Sequence, residues 1–100
     1  MPPTRIRART TPTALLDDGR VFAWGDNTSG QVGDGTTTRR WTPVAVSGVT
    51  TAVAIAAGAD WAMARLQNGT IVAWGDNFSG QLGDGTTTDR LIPTPVGTLA

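Results

Sequence analysis

The apolar residues of this chain come in short runs divided by stretches of Gly, Asp, Asn, Ser and Thr. Val49 to Gly58, Trp61 to Leu66 and Thr70 to Gly75 read as three successive short strands, the last two joined at Gln67-Asn68-Gly69. Asn-Gly favours a tight type I′ hairpin, whose two central residues both need positive φ. Asp18-Gly19 holds the equivalent place after Ala14-Leu15-Leu16. In the strand that follows, Phe22 and Trp24 point one way while Val21 and Ala23 point the other, and Ile71, Val72, Ala73 and Trp74 repeat the arrangement. Both faces are apolar, so each sheet is expected to be sandwiched on both sides. A polar loop follows each Trp-Gly, Gly25 to Arg40 and Gly75 to Arg90, and leads to a proline-marked segment, Trp41 to Val46 or Leu91 to Val96. Proline cannot donate to a ladder, which predicts outer edge strands there.

The pattern repeats with a period of 50 residues. Residues 17–43 align with 67–93 without a gap and agree at 17 of 27 positions, so the chain is a repeat array. The small residues of Ala52-Val53-Ala54-Ile55-Ala56-Ala57-Gly58 suit a crowded inner strand. A four-stranded unit of about 50 residues with both faces covered describes one blade of a β-propeller. A helical solenoid is disfavoured by the glycines and β-branched residues. The expected fold is therefore all-β, with blades of four-stranded antiparallel sheet, about two blades in a partial propeller. Residues 1–11 form an N-terminal arm or degenerate inner strand, 12–48 a first, incomplete repeat, and 49–100 a second. The array reads as cut at both ends. A blade face of roughly 300 Å² is worth on the order of 8 kcal/mol when covered, so the two open faces predict self-association or packing against further repeats.

Charge adds little to this picture. Eight Arg balance eight Asp, and Lys, Glu, His and Cys are absent, which gives no reason to expect nucleic acid, a disulfide framework or a thiolate metal site. Arg5, Arg7 and Arg9 are the one local asymmetry. No apolar run approaches the roughly 20 residues of a bilayer span, and Met1 to Arg5 is followed by no signal-peptide core. A soluble chain is expected, its compartment open.

Ala56-Ala57-Gly58, then Asn68 to Gly75, then Asn77-Phe78-Ser79-Gly80-Gln81-Leu82-Gly83-Asp84-Gly85 and Pro93 together resemble the regulator of chromosome condensation repeat family. Gly19 to Pro43 carries the same Trp-Gly, Ser-Gly-Gln-Val-Gly and Pro signature, so the resemblance covers about four fifths of the chain. It implies a propeller, seven-bladed in typical members, serving mainly as a scaffold for protein contacts. Activities in the family include guanine-nucleotide exchange on a small GTPase, chromatin docking, ultraviolet sensing and β-lactamase inhibition. Where the family has Ala-Ala-Gly-x-x-His-Ser, this chain reads Ala56-Ala57-Gly58-Ala59-Asp60-Trp61-Ala62, and the histidine is missing. No subfamily motif transfers residue by residue.

Asp26, Asn27, Asp34 and their counterparts Asp76, Asn77, Asp84 are clustered oxygen ligands, but their spacing lacks the alternation and distal glutamate of a calcium loop, and Asp and Asn bonded to their own turns account for them. Gly30-Gln31-Val32-Gly33 and Gly80-Gln81-Leu82-Gly83 lack the Lys-Ser/Thr of a phosphate loop. Ser29 and Ser79 have no His or Lys to act as a base. No catalytic, cofactor or metal site is expected. Trp24, Gly25, Trp74, Gly75, Gly33 and Gly83 are assigned structural roles, Trp24 and Trp74 as inter-blade core. Trp41 and Trp61 break the repeat symmetry, facing Leu91 and Thr11 in alignment, and with Asp34, Asp84, Arg39 and Arg40 they are the candidate partner contacts. The function expected is a non-enzymatic repeat scaffold binding protein through its blade loops. Alternatives are a fragment of a guanine-nucleotide exchange factor, or a carbohydrate-binding surface.

Overall fold

The computed structural model describes residues 11–98. Seven strands follow in chain order: β1 (Thr13–Leu15), β2 (Val21–Gly25), β3 (Arg40–Ala45), β4 (Ala52–Ala57), β5 (Trp61–Leu66), β6 (Thr70–Gly75) and β7 (Arg90–Thr98). They form two antiparallel sheets, β1-β2-β3 and β4-β5-β6-β7, each a meander in which sequence neighbours pair. Both proline-bearing segments lie at sheet edges, as their missing N–H groups require. The expected arm at 1–11 lies outside the described residues except for Thr11, which is buried and donates its N–H to the Gly58 carbonyl at 2.7 Å.

One local expectation is corrected. Asn68-Gly69 does not form a type I′ turn: Gly69 has φ +90° and Gly19 +91°, but no residue other than glycine has positive φ among those described. The pairings Arg65↔Ile71 and Leu15↔Val21 leave longer connections, closed by Gly69 N–H to Leu66 O at 2.9 Å and Gly19 N–H to Leu16 O at 3.0 Å. These hairpins close on a single left-handed glycine. The side chains of Asn68 and Asp18 accept the N–H two residues on, at 3.0 and 3.2 Å, which fixes both turns with neither residue at positive φ.

The sheets pack face to face. Val21, Ala23, Val32 and Val46 of the first repeat cluster with Ala62, Ala64, Val72 and Trp74 of the second, and Ile55, Ala57 and Leu15 flank them. This joint has a key and a socket. The key is Trp74, fully buried, whose indole N–H donates to the Gln31 carbonyl at 2.9 Å. The socket is the turn Gly30-Gln31-Val32-Gly33, where glycine is dictated by both backbone and space. Gly33 has φ +78°, and a Cβ there would stand 2.8 Å from the indole. A Cβ on Gly30 would overlap Leu91, and Gly35 donates its N–H to the Leu91 carbonyl at 2.9 Å.

Trp24 differs from the expectation of a core residue. It aligns with Trp74 but is only half-buried, because the described residues contain no preceding blade to receive it. The same reason leaves Trp41, the counterpart of Leu91, 80% exposed.

Candidate interaction loops

The polar loops between β2 and β3 and between β6 and β7 carry most of the sequence identity between repeats, and their geometry is identical in kind. Each is built around one fully buried asparagine. The Asn27 side-chain amide donates to the carbonyl oxygens of Thr36 and Thr38, both at 2.9 Å, and to Asp34 Oδ1 at 3.3 Å, while its Oδ1 accepts the Val32 N–H at 2.9 Å. Asn77 repeats this with Thr86, Thr88, Asp84 and Leu82 at 3.0, 3.0, 3.1 and 3.0 Å. An extended polar segment cannot bond to itself, so a central amide with two donors and an acceptor substitutes for a sheet ladder.

The carboxylates complete the loops. Asp34 Oδ1 accepts the Thr36 N–H at 3.0 Å and hydroxyl at 2.7 Å, and its Oδ2 pairs with Arg40 Nε at 2.6 Å. Asp84 makes the same contacts with Thr86 and, at 2.8 Å, Arg90. Burial alone would raise the Asp34 pKa; the Thr36 hydroxyl and the Arg40 guanidinium outweigh it and hold the carboxyl below its ordinary range. For Asp84 the Thr86 hydroxyl, followed by Arg90, lowers the pKa strongly. Asp26 is lowered chiefly by the Thr28 hydroxyl and Asp76 chiefly by the Phe78 N–H. Asp60 goes the other way: burial, then a shared hydrogen bond with the Asp76 carboxylate and its charge, raises its pKa.

The sequence candidates thus separate. Asp34, Asp84 and Arg40 are turned into the loops, their polar atoms engaged there. Arg39 and Trp41 stay together on the surface, the guanidinium 4.5 Å from the ring centroid. Trp61 lies in the other sheet, half-buried, its indole stacked where a Cβ on Gly58 would be. Phe78, at the crest of the second loop and 81% exposed, was not among the candidates. Its signal was present: it replaces Thr28 within an otherwise identical stretch. Among the described residues no group of three or more Asp, Glu, His or Cys side chains is arranged to hold a metal ion, and no helix is long and apolar enough to cross a membrane.

Models of the regulator of chromosome condensation (RCC1) repeat match residues 18–65 and 68–100, and a second model of that description matches 52–81. The human and mouse E3 ubiquitin-protein ligase HERC2 are each 53% identical over 36 residues, which is 36% of this chain and 1% of theirs. Among solved structures, human WBSCR16 superposes with a TM-score of 0.75 at 26% identity over 85% of this chain and 22% of its own. Prp20p from Saccharomyces cerevisiae, described with its binding to Gsp1p and histones, gives 0.78 at 20% identity over 98% of this chain and 27% of its own. The chain therefore spans a small part of each relative's length. The two sheets are adjacent blades of a β-propeller.

Proposed function

We propose, because this chain belongs to the regulator of chromosome condensation repeat family, that it is a non-enzymatic scaffold that binds another protein through the loops 26–40 and 76–90. The observation that carries this reading is the division of labour within the loops. Their buried amides and carboxylates, with the hydroxyls of Thr36 and Thr86, are consumed in fixing the backbone, and what they offer outward is rigid backbone, the exposed Thr37, Thr38, Thr87 and Thr88 and the exposed ring of Phe78. A preorganised polar rim around an aromatic anchor is what a protein interface uses, since little ordering entropy remains to be lost on binding. Phe78 is exposed for a reason other than a missing blade. Thr28, at the same place in the first loop, is exposed although the second blade is packed beside that loop. Protein binding by relatives, Prp20p with Gsp1p and histones and yeast RCC1 with Kap60, is in line with this reading.

The test places a photoreactive phenylalanine analogue at position 78 and, as a control, at position 17 on the opposite hairpin end. Partner proteins cross-linked through position 78, with affinity falling at least about tenfold in Phe78→Ala and an unchanged circular dichroism spectrum, support the reading. Cross-links confined to position 17 overturn it.

A further inference from the structure

A polar cleft lies at the seam of the two repeats, at the hairpin ends of the strands and away from the loops. Its walls include Asp17 and Asp18 from the first repeat and Thr50, Thr51, Val53 and Gln67 from the second, and its volume is about 290 Å³. The floor is held by backbone. Gly19, with φ +91°, lies so close that a Cβ there would stand 2.4 Å from the Thr50 carbonyl oxygen. Ala52 N–H donates to the Gly19 carbonyl and Gln67 N–H to the Thr51 carbonyl, at 2.9 and 2.8 Å, so both hairpins are tied to the start of β4. The side chains divide differently. Asp18 is spent on Arg20, whose backbone N–H and Nε it accepts at 3.2 and 2.9 Å. Asp17, Thr50, Thr51 and Gln67 are exposed, and their side chains have no hydrogen-bond or ion-pair partner among the described residues. Val53 is 48% exposed. The register between β4 and β5 shifts between Ala52 and Ala54, and this bulge turns Val53 into the cleft wall.

We infer that this cleft binds the side chain of a lysine on a partner protein. Arg20 neutralises Asp18, so the cleft keeps the single charge of Asp17, which attracts one cation and repels anions. One carboxylate with separate hydroxyl and amide oxygens is the acceptor set of an ammonium, with its three diverging N–H donors, rather than of a planar guanidinium. Val53 and Ala52 give the methylene stem an apolar wall. Size agrees, because small-molecule pockets run from roughly 300 to 1,000 Å³ and this cleft falls just below them, with room for one side chain. Asp17 aligns with Gln67, so the charge belongs to this seam and not to every blade. That the lysine is a protein's rests on the loop reading above; the cleft itself does not. Cleft and loops lie at opposite ends of β2, and a photoreactive residue at position 17 removes the Asp17 carboxylate, so that control does not report on the cleft.

Titration of the isotope-labelled full chain with Nα-acetyl-lysine amide, whose one charge is the side-chain ammonium, tests this by amide NMR shifts without a partner. Shifts should concentrate at the backbone amides of Gly19, Thr51, Ala52 and Gln67 and saturate in the millimolar range, as befits a single exposed ion pair. Asp17→Asn should weaken binding by at least about threefold, and Val53→Thr, which keeps the β-branched shape, should weaken it as well. Nα-acetyl-norleucine amide, a stem without the charge, should give no measurable shift. Phe78→Ala should bind as the unaltered chain does, so failure here leaves the loop reading standing, and loss of cross-links at position 78 leaves the cleft. Binding unchanged in Asp17→Asn overturns the inference. So do equal binding of the norleucine derivative, tighter binding of Nα-acetyl-arginine amide, and silence at the four amides. Circular dichroism verifies folding, and should Val53→Thr lose its β signal, Asp17→Asn carries the reading alone, since exposed Asp17 has no bonded contact to lose among the described residues.

Discussion

Replacing the buried asparagine of the first loop is the sharpest perturbation of this fold. In Asn27→Ala the Val32 N–H, fully buried, loses its acceptor, and the Thr36 and Thr38 carbonyls lose their donors. One buried unpaired N–H costs about 1–3 kcal/mol, and each further lost hydrogen bond about 1 kcal/mol where water replaces it only in part. The sum is about 3–5 kcal/mol, between about a hundredfold and a few thousandfold in the folded-to-unfolded ratio, and large against the 5–15 kcal/mol of a typical domain. Asn27→Asp separates hydrogen bonding from packing. A carboxylate keeps the shape but turns an acceptor toward two carbonyl oxygens and the Asp34 carboxylate, so at neutral pH it should be less stable than Asn27→Ala. Burial, the facing carbonyls and the Asp34 charge raise the pKa of this carboxyl above its ordinary range. Protonation, which returns one donor, therefore sets in above about pH 4, and the order of the two variants should invert as pH falls. Urea denaturation at fixed protein concentration, followed by circular dichroism and tryptophan emission, measures both. The first loop also forms the socket of Trp74, so the emission of Asn27→Ala should shift to the red. Equal stability of Asn27→Asp and the unaltered chain at pH 7 would refute the central-amide account.

Other expectations follow from the same contacts. Gly33→Ala and Gly83→Ala share the left-handed strain of about 1–2 kcal/mol, but only Gly33→Ala drives a methyl against Trp74, so it should lose a further 1–3 kcal/mol or so in chemical denaturation. Asp34 and Asp84 are ionised more readily in the folded chain than in the unfolded one. Their contribution is thus complete above the ordinary carboxylate value of 3.8 and fades as pH falls through the depressed folded values. Acid titration by circular dichroism should show this loss beginning near pH 4, and Asp34→Asn/Asp84→Asn should flatten it. Asp60 has the opposite sign: its raised folded value makes the ionised form a cost above that value, so Asp60→Asn should raise the thermal midpoint at pH 7 and not at pH 3.

The strand plan could be read from the chain because alternation and turn residues are local properties. β5 and β6 run over the residues the pattern marks, and β4 begins at Ala52 because Val49, though buried, belongs to the connection that reaches back to Gly19. The hairpin turns escaped the reading because Asn-Gly is compatible with two closures, and the choice between them lies in a side-chain bond to Thr70 rather than in composition. Loop chemistry was half legible. That Asp and Asn bond their own turns follows from residue type, but that a single asparagine in each loop gathers strands of backbone 9 to 11 residues away depends on how the loop folds over it.

The tryptophans show where repeat symmetry stops informing. Identical residues at equivalent positions have equal surroundings only when each has a neighbour, and Trp24 and Trp74 differ in burial for that reason alone. Symmetry therefore works best as a comparison. Where equivalent positions are equally exposed, as at Thr28 and Phe78, exposure belongs to the loop itself; where they differ, as at Gly33 and Gly83 or Leu91 and Trp41, the difference measures what an adjoining blade covers. By this criterion the exposure of Trp41 reflects the lack of an adjoining blade among the described residues, whereas the exposure of Phe78 belongs to its own loop.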